Sequence, residues 1–404
     1  MLWLVISAAL VAGVAWLRPR LSQTIAVRDA LAADSVDDAA LREATEGRTL
    51  PPELVERFWR TGRLPHRRAA ISALAGIGTN SGPLSMLRSR LLPEAASDPD
   101  LEVRTRALGA LTAADLPTHL PSAAWQLGDP DPEVRRLGLQ TLRRIGGAAQ
   151  VPLVLPALAD PDATVALFAD SVLRSWSGRD SGLRLSRVLP DRSSLLATPV
   201  ASDDLAAIAQ ATVDWRAWWA AAAQPTNVVV MIPPPPTAVR LPCPEIRLPD
   251  LKGQAVDVTS FRGKLVLLNF WTTWCPACLV ELPLLVELQR RHPDDLVVLG
   301  ISLDSAEQGA LADGPASAPG TVPPDDKQVR KLVAAVAGRQ HLNYRVLLDP
   351  QNTVGRQFNG GELPTNVLLD REGFVRRRFV GERSVAVWEA LLREAARPVA
   401  AARP

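Results

Sequence analysis

The spacing of apolar residues divides the chain into three parts, and each spacing predicts a different kind of structure. The first segment, Leu2 to Leu17, carries no charged side chain. From about residue 50 to 222, apolar residues recur three and four positions apart, which is typical of amphipathic helices. Beyond residue 242, short apolar runs alternate with amphipathic stretches, as in buried strands covered by helices. The chain is therefore expected to be multidomain, with a membrane helix, an all-α region and an α/β domain.

The first segment predicts a transmembrane helix within residues 1–20. Sixteen helical residues extend about 24 Å, slightly less than a hydrocarbon core of roughly 30 Å. Trp3 and Trp16 lie near the two ends, where interfacial aromatic residues are common. A cleaved signal peptide and a buried helix are the alternatives, but no basic stretch precedes the segment and no clear cleavage site follows it. Arg18 and Arg20 follow it, which by the positive-inside rule would leave the rest in the cytoplasm, so the topology stays open.

The helical region contains an internal repeat. Asp-Pro-Asp occurs at residues 98–100, 129–131 and 160–162, and an amphipathic helix is predicted after each copy. Proline ends the preceding helix, because it lacks an N–H and restricts the residue before it. The second aspartate can cap the helix that follows. A period of this length indicates stacked helical repeats, since one helix pair cannot bury its apolar stripe alone.

These copies resemble HEAT-type repeats, in which D-P-D-x-x-V-R is a familiar signature, over roughly residues 50–180. Arg104 and Arg135 occupy the arginine position, whereas Ala166 replaces it in the last copy. A ladder of Asp–Arg pairs between repeats should therefore end there. The whole helical domain is expected to span residues 50–222. It could present a concave surface to a protein partner or hold the next domain off the membrane, and the sequence favours neither.

A proline-rich linker is predicted at residues 223–241, where Pro233 to Pro236 favours a stiff polyproline II segment that keeps two domains apart. The α/β domain is predicted at residues 242–397, with an Ala-, Gly-, Pro- and Asp-rich insertion at 305–326. Its order of strands and helices is typical of a thioredoxin-like fold. The predicted strands are 264–270, 296–302, 344–348, 365–369 and 374–380, and the predicted helices are 279–291, 327–338 and 384–396.

Composition narrows the range of functions. The net charge is +2 over 404 residues, which is too small to indicate a nucleic-acid-binding protein. Three cysteines exclude a disulfide-stapled scaffold. Cys275 and Cys278 form a Cys-x-x-Cys pair between a predicted buried strand and a predicted helix. The third, Cys243, lies ahead of the first predicted strand and could be a redox partner, a dimer link or an incidental thiol.

The position of the Cys-x-x-Cys pair predicts a redox site. At the N-terminus of a helix, free N–H groups and the helix dipole stabilise a thiolate, so the pKa of Cys275 should fall below its usual value of about 8.5. Cys275 can then attack a substrate disulfide, and Cys278, one turn further on, can resolve the mixed disulfide. A zinc half-site is the alternative, but His292 and His341 are isolated and there is no second cysteine pair, so no metal is expected.

The residues around the pair carry a specific resemblance. NFWTTWCPAC and the later GELPTNVLLDREGFVRRRFVGE are similar to TlpA/ResA-type thioredoxin-like thiol–disulfide oxidoreductases, which are tethered to membranes. The resemblance covers roughly residues 242–397. It implies a periplasmic-side domain that reduces protein disulfides, with apocytochrome c or a copper-binding assembly protein as candidate substrates. It also implies a membrane thiol–disulfide electron donor and no cofactor beyond the Cys275–Cys278 disulfide.

The resemblance implies roles for individual residues. Cys275 is the nucleophile, Cys278 the resolving thiol, and Glu281, on the same helix face as Cys278, the acid that manages protons. Asn269 stands where thioredoxin has a buried aspartate, so Glu281 gains importance. Glu281 as a solvated carboxylate and Pro364 as an ordinary trans proline are the alternatives; in the family this proline is cis. The residues expected to bind substrate are Trp274, Pro276, Leu363, Pro364 and Thr365.

Two other functions stay open. The helical repeats could be a scaffold with the thioredoxin-like domain as a passive adaptor, although the intact cysteine pair argues against this. The domain could also form disulfides, because Pro-Ala between the cysteines does not determine the redox potential, and reduction is favoured by the resemblance alone. A peroxiredoxin is not expected, since its P-x-x-x-T-x-x-C motif needs proline where Leu268 stands.

Overall fold

The computed structural model describes residues 51–60, 64–75, 77, 82–112, 116–184, 202–222, 241–305, 326–358 and 360–397. The predicted membrane helix at 1–20, the linker up to residue 240 and nearly all of the insertion at 305–326 lie outside these ranges. Within them, no helix is long and apolar enough to cross a bilayer. The transmembrane helix therefore stays a prediction.

The amino-terminal part of the described chain is all-α. Four of its helices stack on one another, namely α2 (Leu64–Ala75), α4 (Leu101–Gly109), α6 (Pro132–Ile145) and α8 (Ala163–Ser177). A single core of buried aliphatic and aromatic side chains runs through the stack and includes Phe58, Leu108, Leu142 and Leu173. Stacked helical repeats are thereby confirmed. The helices are α1 Pro52–Arg60, α2 Leu64–Ala75, α3 Pro83–Ala95, α4 Leu101–Gly109, α5 Leu116–Trp125, α6 Pro132–Ile145, α7 Val151–Val154, α8 Ala163–Ser177 and α9 Ser202–Ala221.

The Asp-Pro-Asp turns order this stack in two ways. The second aspartate caps the next helix, since Asp100, Asp131 and Asp162 each accept a backbone N–H of its first turn. The first aspartate pairs with an arginine of the preceding repeat, as predicted. These pairs are Arg67–Asp98, Arg104–Asp129 at 3.1 Å and Arg135–Asp160 at 2.7 Å.

The carboxy-terminal domain is built on a six-stranded mixed sheet with the order β1-β8-β7-β4-β5-β6. Strands β4, β5 and β6 are parallel, whereas β7, β8 and β1 continue the sheet with antiparallel pairing. Strands β2 and β3 form a separate two-stranded sheet. The strands are β1 Leu241–Pro242, β2 Arg247–Pro249, β3 Ala255–Asp257, β4 Leu265–Trp271, β5 Leu296–Ser302, β6 Arg345–Leu348, β7 Thr365–Leu369 and β8 Phe374–Val380.

Three helices complete this domain, namely α10 Pro276–Arg291, α11 Asp326–Arg339 and α12 Val385–Ala395. Helices α10 and α12 pack together over one face of the sheet, where Leu285 and Trp388 share a core with Leu267. Helix α11 covers the region of the cysteines through Val333 and Val336. This arrangement places the start of α10 at the carboxyl end of the central strand β4.

The predicted bounds need two corrections. Helix α10 begins at Pro276, three residues before the predicted start, because Cys275 is its N-cap residue and proline suits the first helical position. The sheet begins at Leu241, which was assigned to the end of the linker. The five predicted strands are confirmed to within one residue at each end.

The two domains are in contact, contrary to the expectation that a stiff linker would keep them apart. The backbone N–H of Arg378 donates to the carbonyl of Pro99 at 3.0 Å. Leu101, at the start of α4, packs against the core beneath α12. Buried ion pairs, described below, join the same surfaces, and their complementary charges explain the contact.

Candidate redox site

The two cysteines form a disulfide at the N-terminus of helix α10. Cys275 is the N-cap residue, and the backbone N–H of Cys278 donates to its Sγ at 3.2 Å. The Cα atoms are 5.3 Å apart. Cys275 is 6% exposed and Cys278 is fully buried, so an incoming molecule meets Cys275 first. After reduction, the same N–H groups and the helix dipole would favour a thiolate on Cys275.

The loop before the cysteines is fixed by Asp304, which sequence analysis missed. The backbone N–H of Thr273 donates to its carboxylate at 3.0 and 3.1 Å, and the hydroxyl of Thr273 donates at 2.6 Å. Ser302 Oγ donates to Oδ2 of the same Asp304 carboxylate at 2.8 Å. Asp304 follows β5, the parallel neighbour of β4, so a polar residue just past that strand was the available signal.

Glu281 is fully buried, so a solvated carboxylate at this position is ruled out. Two asparagine side chains hold it. Asn269 Nδ2 donates to Oε2 at 3.0 Å, and Asn366 Nδ2 donates to Oε1 at 3.0 Å and to Oε2 at 3.1 Å. Asn269 Nδ2 also lies 3.0 Å from Asn366 Oδ1. Both amides are uncharged donors, so they position the carboxyl group without the strong stabilisation that a direct ion pair would give the carboxylate.

Burial raises the pKa of Glu281 to about 8, although the Asn366 hydrogen bond and the positive charge of Arg383 lower it. The negative charge of Glu382 adds to the increase. Burial, with the charge of Glu281, also raises the pKa of Tyr344. A carboxyl group that titrates near neutral pH can both give and take a proton there.

The Leu363–Pro364 peptide bond is cis, as the resemblance implied. Leu363 is half-buried and packs against the cluster that contains Cys275 and Cys278. Pro364 and Thr365 are buried, and the carbonyl of Pro364 accepts the N–H of Gly381 at 2.8 Å. The fold therefore brings this loop next to the disulfide although 85 or more residues separate them along the chain.

The surface beside the disulfide is apolar. Trp274 is 44% exposed and Val280 is 55% exposed, and Pro276 between them is also exposed. Such side chains can contact a protein or peptide substrate next to Cys275.

Cys243 lies in a different environment. It is half-buried next to β1, and its backbone N–H donates to Gly373 at 3.0 Å. Burial raises the pKa of its thiol to about 12. Across the part of the chain that the structure describes, no three His, Cys, Asp or Glu side chains are grouped as metal ligands.

A mixed sheet, a Cys-x-x-Cys disulfide at the start of a helix and a cis-proline loop against it define a thioredoxin-like redox domain. Residues 239–378 match the model of the AhpC/TSA family, and residues 88–171 match that of HEAT repeats. The chain is 31% identical over 138 residues to thioredoxin-like protein YneN of Bacillus subtilis, covering 34% of this chain and 69% of YneN. It is 30% identical over 144 residues to thiol-disulfide oxidoreductase ResA of Geobacillus kaustophilus, covering 36% of this chain and 70% of ResA.

A putative thiol:disulfide interchange protein DsbE from Chlorobium tepidum aligns at 23% identity and a TM-score of 0.30, over 38% of this chain and 94% of that one. Through its carboxy-terminal domain, the chain belongs to the family of thioredoxin-like thiol–disulfide oxidoreductases that includes ResA and YneN. It carries HEAT repeats in front of that domain.

Proposed function

We propose that this oxidoreductase is a reductase, in which the Cys275–Cys278 dithiol passes two electrons to a disulfide of a protein substrate. The observation that carries the proposal is the position of Cys275: it caps helix α10, is more accessible than the fully buried Cys278, and lies beside the cis-Pro364 loop. In this proposal Leu363, Pro364 and Thr365 bind substrate backbone, and Trp274 and Pro276 form the rim of the site. No further cofactor takes part.

The proposed reaction starts from the reduced domain. The Cys275 thiolate attacks one sulfur of the substrate disulfide; a mixed disulfide forms, and the other substrate sulfur leaves as a thiolate and takes up a proton. Cys278 then loses its proton and attacks Cys275 Sγ, which releases the second substrate thiolate. The substrate gains two electrons and two protons, one proton from Cys278 and one from solvent, and the domain keeps the Cys275–Cys278 disulfide. An external dithiol donor must reduce that disulfide before the next cycle.

Glu281 is the proton carrier in this scheme. It lies one helical turn beyond Cys278 and on the same face of α10. With a pKa of about 8, a minor fraction of Glu281 is ionised at neutral pH; this fraction takes the proton of the buried thiol, and the protonated form then gives it up. Cys278 has no contact with bulk water, so a proton acceptor within the protein is needed.

The cellular setting is also a proposal. The apolar segment at 2–17 would anchor the chain in a membrane, and the resemblance to the TlpA/ResA type supports a redox domain on the periplasmic side. The reductant would then be a thiol–disulfide protein of the same membrane. An apocytochrome c during maturation, or a copper-binding assembly protein, would be the substrate.

Reduction of insulin by dithiothreitol tests the activity. The full chain should accelerate it, Cys275→Ser should abolish the acceleration, and Cys243→Ser should match the wild type because that cysteine lies outside the site. Equal rates with the wild type and Cys275→Ser would instead favour the scaffold function. A midpoint potential near about −270 mV would support reduction, and one near about −120 mV would show a disulfide-forming oxidase.

A trapped intermediate would identify the substrate. Cys278→Ala removes the resolving thiol, so the mixed disulfide on Cys275 should persist. Mass spectrometry of the Cys275 peptide from cells that produce this variant should show a disulfide-linked peptide of the substrate. The double variant that also carries Cys275→Ser is the control and should trap nothing.

A further inference from the structure

Three buried arginines join the redox domain to the helical domain. Arg377 and Arg378 lie in strand β8, and Arg383 lies in the turn before helix α12. They are 6%, 2% and 1% exposed. Each pairs with an aspartate of an Asp-Pro-Asp turn: Arg378 with Asp100 at 3.2 Å, Arg377 with Asp129 at 2.8 Å and Arg383 with Asp131 at 2.9 Å. The turns of the helical repeat are thus also the contact between the domains.

Each of these aspartates serves both domains at once. One carboxylate oxygen of Asp131 accepts the backbone N–H of Glu133 at 2.9 Å and so caps helix α6, while the other accepts from Arg383 Nε. Asp100 likewise caps α4 through Val103 and pairs with Arg378 through its second oxygen. The start of each helix and the position of the redox domain therefore depend on the same side chains.

The interface carries full charges out of contact with water. Burial alone would raise the pKa of Asp100, but the positive charges of Arg68 and Arg378 outweigh it and hold that pKa below its usual value. The pKa of Asp129 is lowered in the same way by Arg377 and Arg104. A buried charge that loses its partner is strongly destabilising, so the two surfaces are held together while all pairs are intact.

The segment 381–383 connects this interface to the redox site. Arg383 pairs with Asp131 through its side chain, and its Nη1 lies 3.5 Å from the carbonyl oxygen of Gly381. The same carbonyl lies 3.4 Å from Nδ2 of Asn366, the side chain that donates to Glu281. The N–H of Gly381 donates to the carbonyl of Pro364 at 2.8 Å. From the strand next to it, Arg378 Nη2 lies 3.4 Å from the hydroxyl of Thr365. Thr365 of the cis-proline loop is therefore two hydrogen bonds from Asp100, and Glu281 is linked to Asp131 through Arg383, Gly381 and Asn366.

We propose that the helical domain positions the redox site: docked through Asp100 and Asp131, it fixes the segment 381–383 and so the places of Glu281 and the cis-Pro364 loop. Arg383 is a positioning residue, since it acts on Glu281 through the carbonyl of Gly381 and the side chain of Asn366. The Asp-Pro-Asp edge is therefore a docking surface for this chain's own redox domain. The inference deepens the proposed function and rests on it for the role of Glu281.

The expected direction follows from the charges around Glu281. The ionisable groups that face it are Arg383 and Glu382 from the turn after β8, Tyr344 before β6, and Cys278 on its own helix. Asp131 offsets the positive charge of Arg383. If Asp131 is made neutral, Arg383 acts on Glu281 with less compensation, and Glu281 should release its proton at lower pH.

The test compares Asp131→Asn with Asp160→Asn in the full chain. Asparagine is also a good N-cap residue, so helix α6 keeps its cap. Asp160 belongs to the third Asp-Pro-Asp turn and pairs with Arg135 inside the helical domain, so its variant reports the cost of losing an Asp–Arg pair there. The readout is the rate of Cys275 alkylation against pH in the reduced protein, followed by mass spectrometry. Glu281→Gln identifies the inflection near pH 8 that belongs to Glu281.

We expect Asp131→Asn to move that inflection to lower pH, so that the proton concentration at the inflection is at least threefold higher. Asp160→Asn should leave the inflection in place. Unchanged profiles in a folded Asp131→Asn protein would overturn the proposal. If that variant does not fold, Arg383→Gln decides instead: it removes the positive charge near Glu281, so the inflection should move to higher pH, and an unchanged inflection would overturn the proposal. If the wild-type protein does not accelerate insulin reduction, the proposed function is refuted. The positioning role of the helical domain is still tested, because the alkylation profile needs no protein substrate.

Discussion

Cys243 and Cys275 belong to the same domain, yet their surroundings predict opposite reactivity. Burial raises the pKa of Cys243 to about 12, whereas Cys275 caps a helix and accepts an N–H at its sulfur. Because the thiolate is the reactive form, we expect iodoacetamide at about pH 8 to alkylate reduced Cys275 about a hundredfold faster than Cys243. Mass spectrometry of the two peptides measures this. In the denatured chain the two rates should converge, and equal rates in the folded chain would contradict the proposed thiolate.

Glu281 should make the stability of the protein depend on pH. Its pKa is about 8 in the folded protein against an ordinary value of 4.5. Between these values the folded state binds more protons than the unfolded state, so the free energy of unfolding falls as pH rises. Glu281→Gln cannot titrate, so we expect its decrease over this window to be smaller, on the order of a few kcal/mol. Denaturant unfolding at several pH values measures the difference.

The matched control is Glu287→Gln on the same helix. Glu287 is half-buried, with 32% of its side chain exposed, and hydrogen bonds from Arg290 and Arg291 lower its pKa to about 2. Its titration lies below the window from 4.5 to 8, so this variant should follow the wild-type pH dependence there. A Glu281→Gln protein with the same slope as the wild type would mean that Glu281 stays ionised in the fold.

At the scale of elements, the sequence predicted the redox domain well because its central strands are buried on both faces. Runs such as residues 265–271 and 296–302 carry apolar side chains at almost every position. They can therefore be recognised as buried strands without knowing which strands pair with them. The start of helix α10 was less clear. By their residue types, Cys275 and Pro276 suggest a loop. In the structure they are the N-cap residue and the first position of helix α10.

The hydrogen-bond partners of Glu281 could not be predicted in this way. Asn269 and Asn366 are 97 residues apart and meet because β4 and β7 pair antiparallel with these two residues opposite each other. That register is a property of the sheet and not of either strand alone. Asn366 was passed over although Thr365, its neighbour, was placed in the site. Sequence reasoning found the residues of the Cys-x-x-Cys helix and missed the strand residue that holds Glu281.

Helix packing in the repeats offers a test at the same scale. A Cβ at Gly138 of helix α6 would lie 2.8 Å from Gln126 Cβ and 3.0 Å from the carbonyl oxygen of Ala123, so the helices must shift apart. We expect Gly138→Ala to lower the stability of the helical domain by about 1–3 kcal/mol. Gly109 ends helix α4 and has open space around it, so Gly109→Ala should be neutral or slightly stabilising. Thermal unfolding followed by circular dichroism compares the two, and equal melting temperatures would contradict the close packing.

At the scale of the whole molecule, the docking of the two domains is what the sequence did not reveal. The Asp-Pro-Asp turns were explained by helix caps and by the ladder within the repeats, and both explanations are confirmed. For the arginines of β8, the sequence predicts only a place in the strand at 374–380. Arg378 and Asp100 are 278 residues apart, and no local pattern relates them. A motif with a complete local explanation can still carry a second contact, and here that contact joins the domains.

Two aspartates of the Asp–Arg ladder in the helical repeats can be compared to measure the contact between the domains. Asp129 and Asp160 occupy the same place in consecutive Asp-Pro-Asp turns: each accepts the N–H two residues on, and each pairs with an arginine of the preceding repeat. They are similarly buried, at 7% and 8% side-chain exposure. Asp129 differs in that it also pairs with Arg377 of the redox domain at 2.8 Å.

We therefore expect Asp129→Asn to destabilise the full chain by about 1–3 kcal/mol more than Asp160→Asn, since it leaves the buried Arg377 with Glu394 alone. Both variants lose one Asp–Arg pair of the ladder, so the difference between them reports the contact between domains. Denaturant unfolding of both proteins under the same conditions measures it. If Asp160→Asn costs as much as Asp129→Asn, the pair between the domains contributes nothing measurable, and the ladder alone accounts for the stability that these aspartates provide.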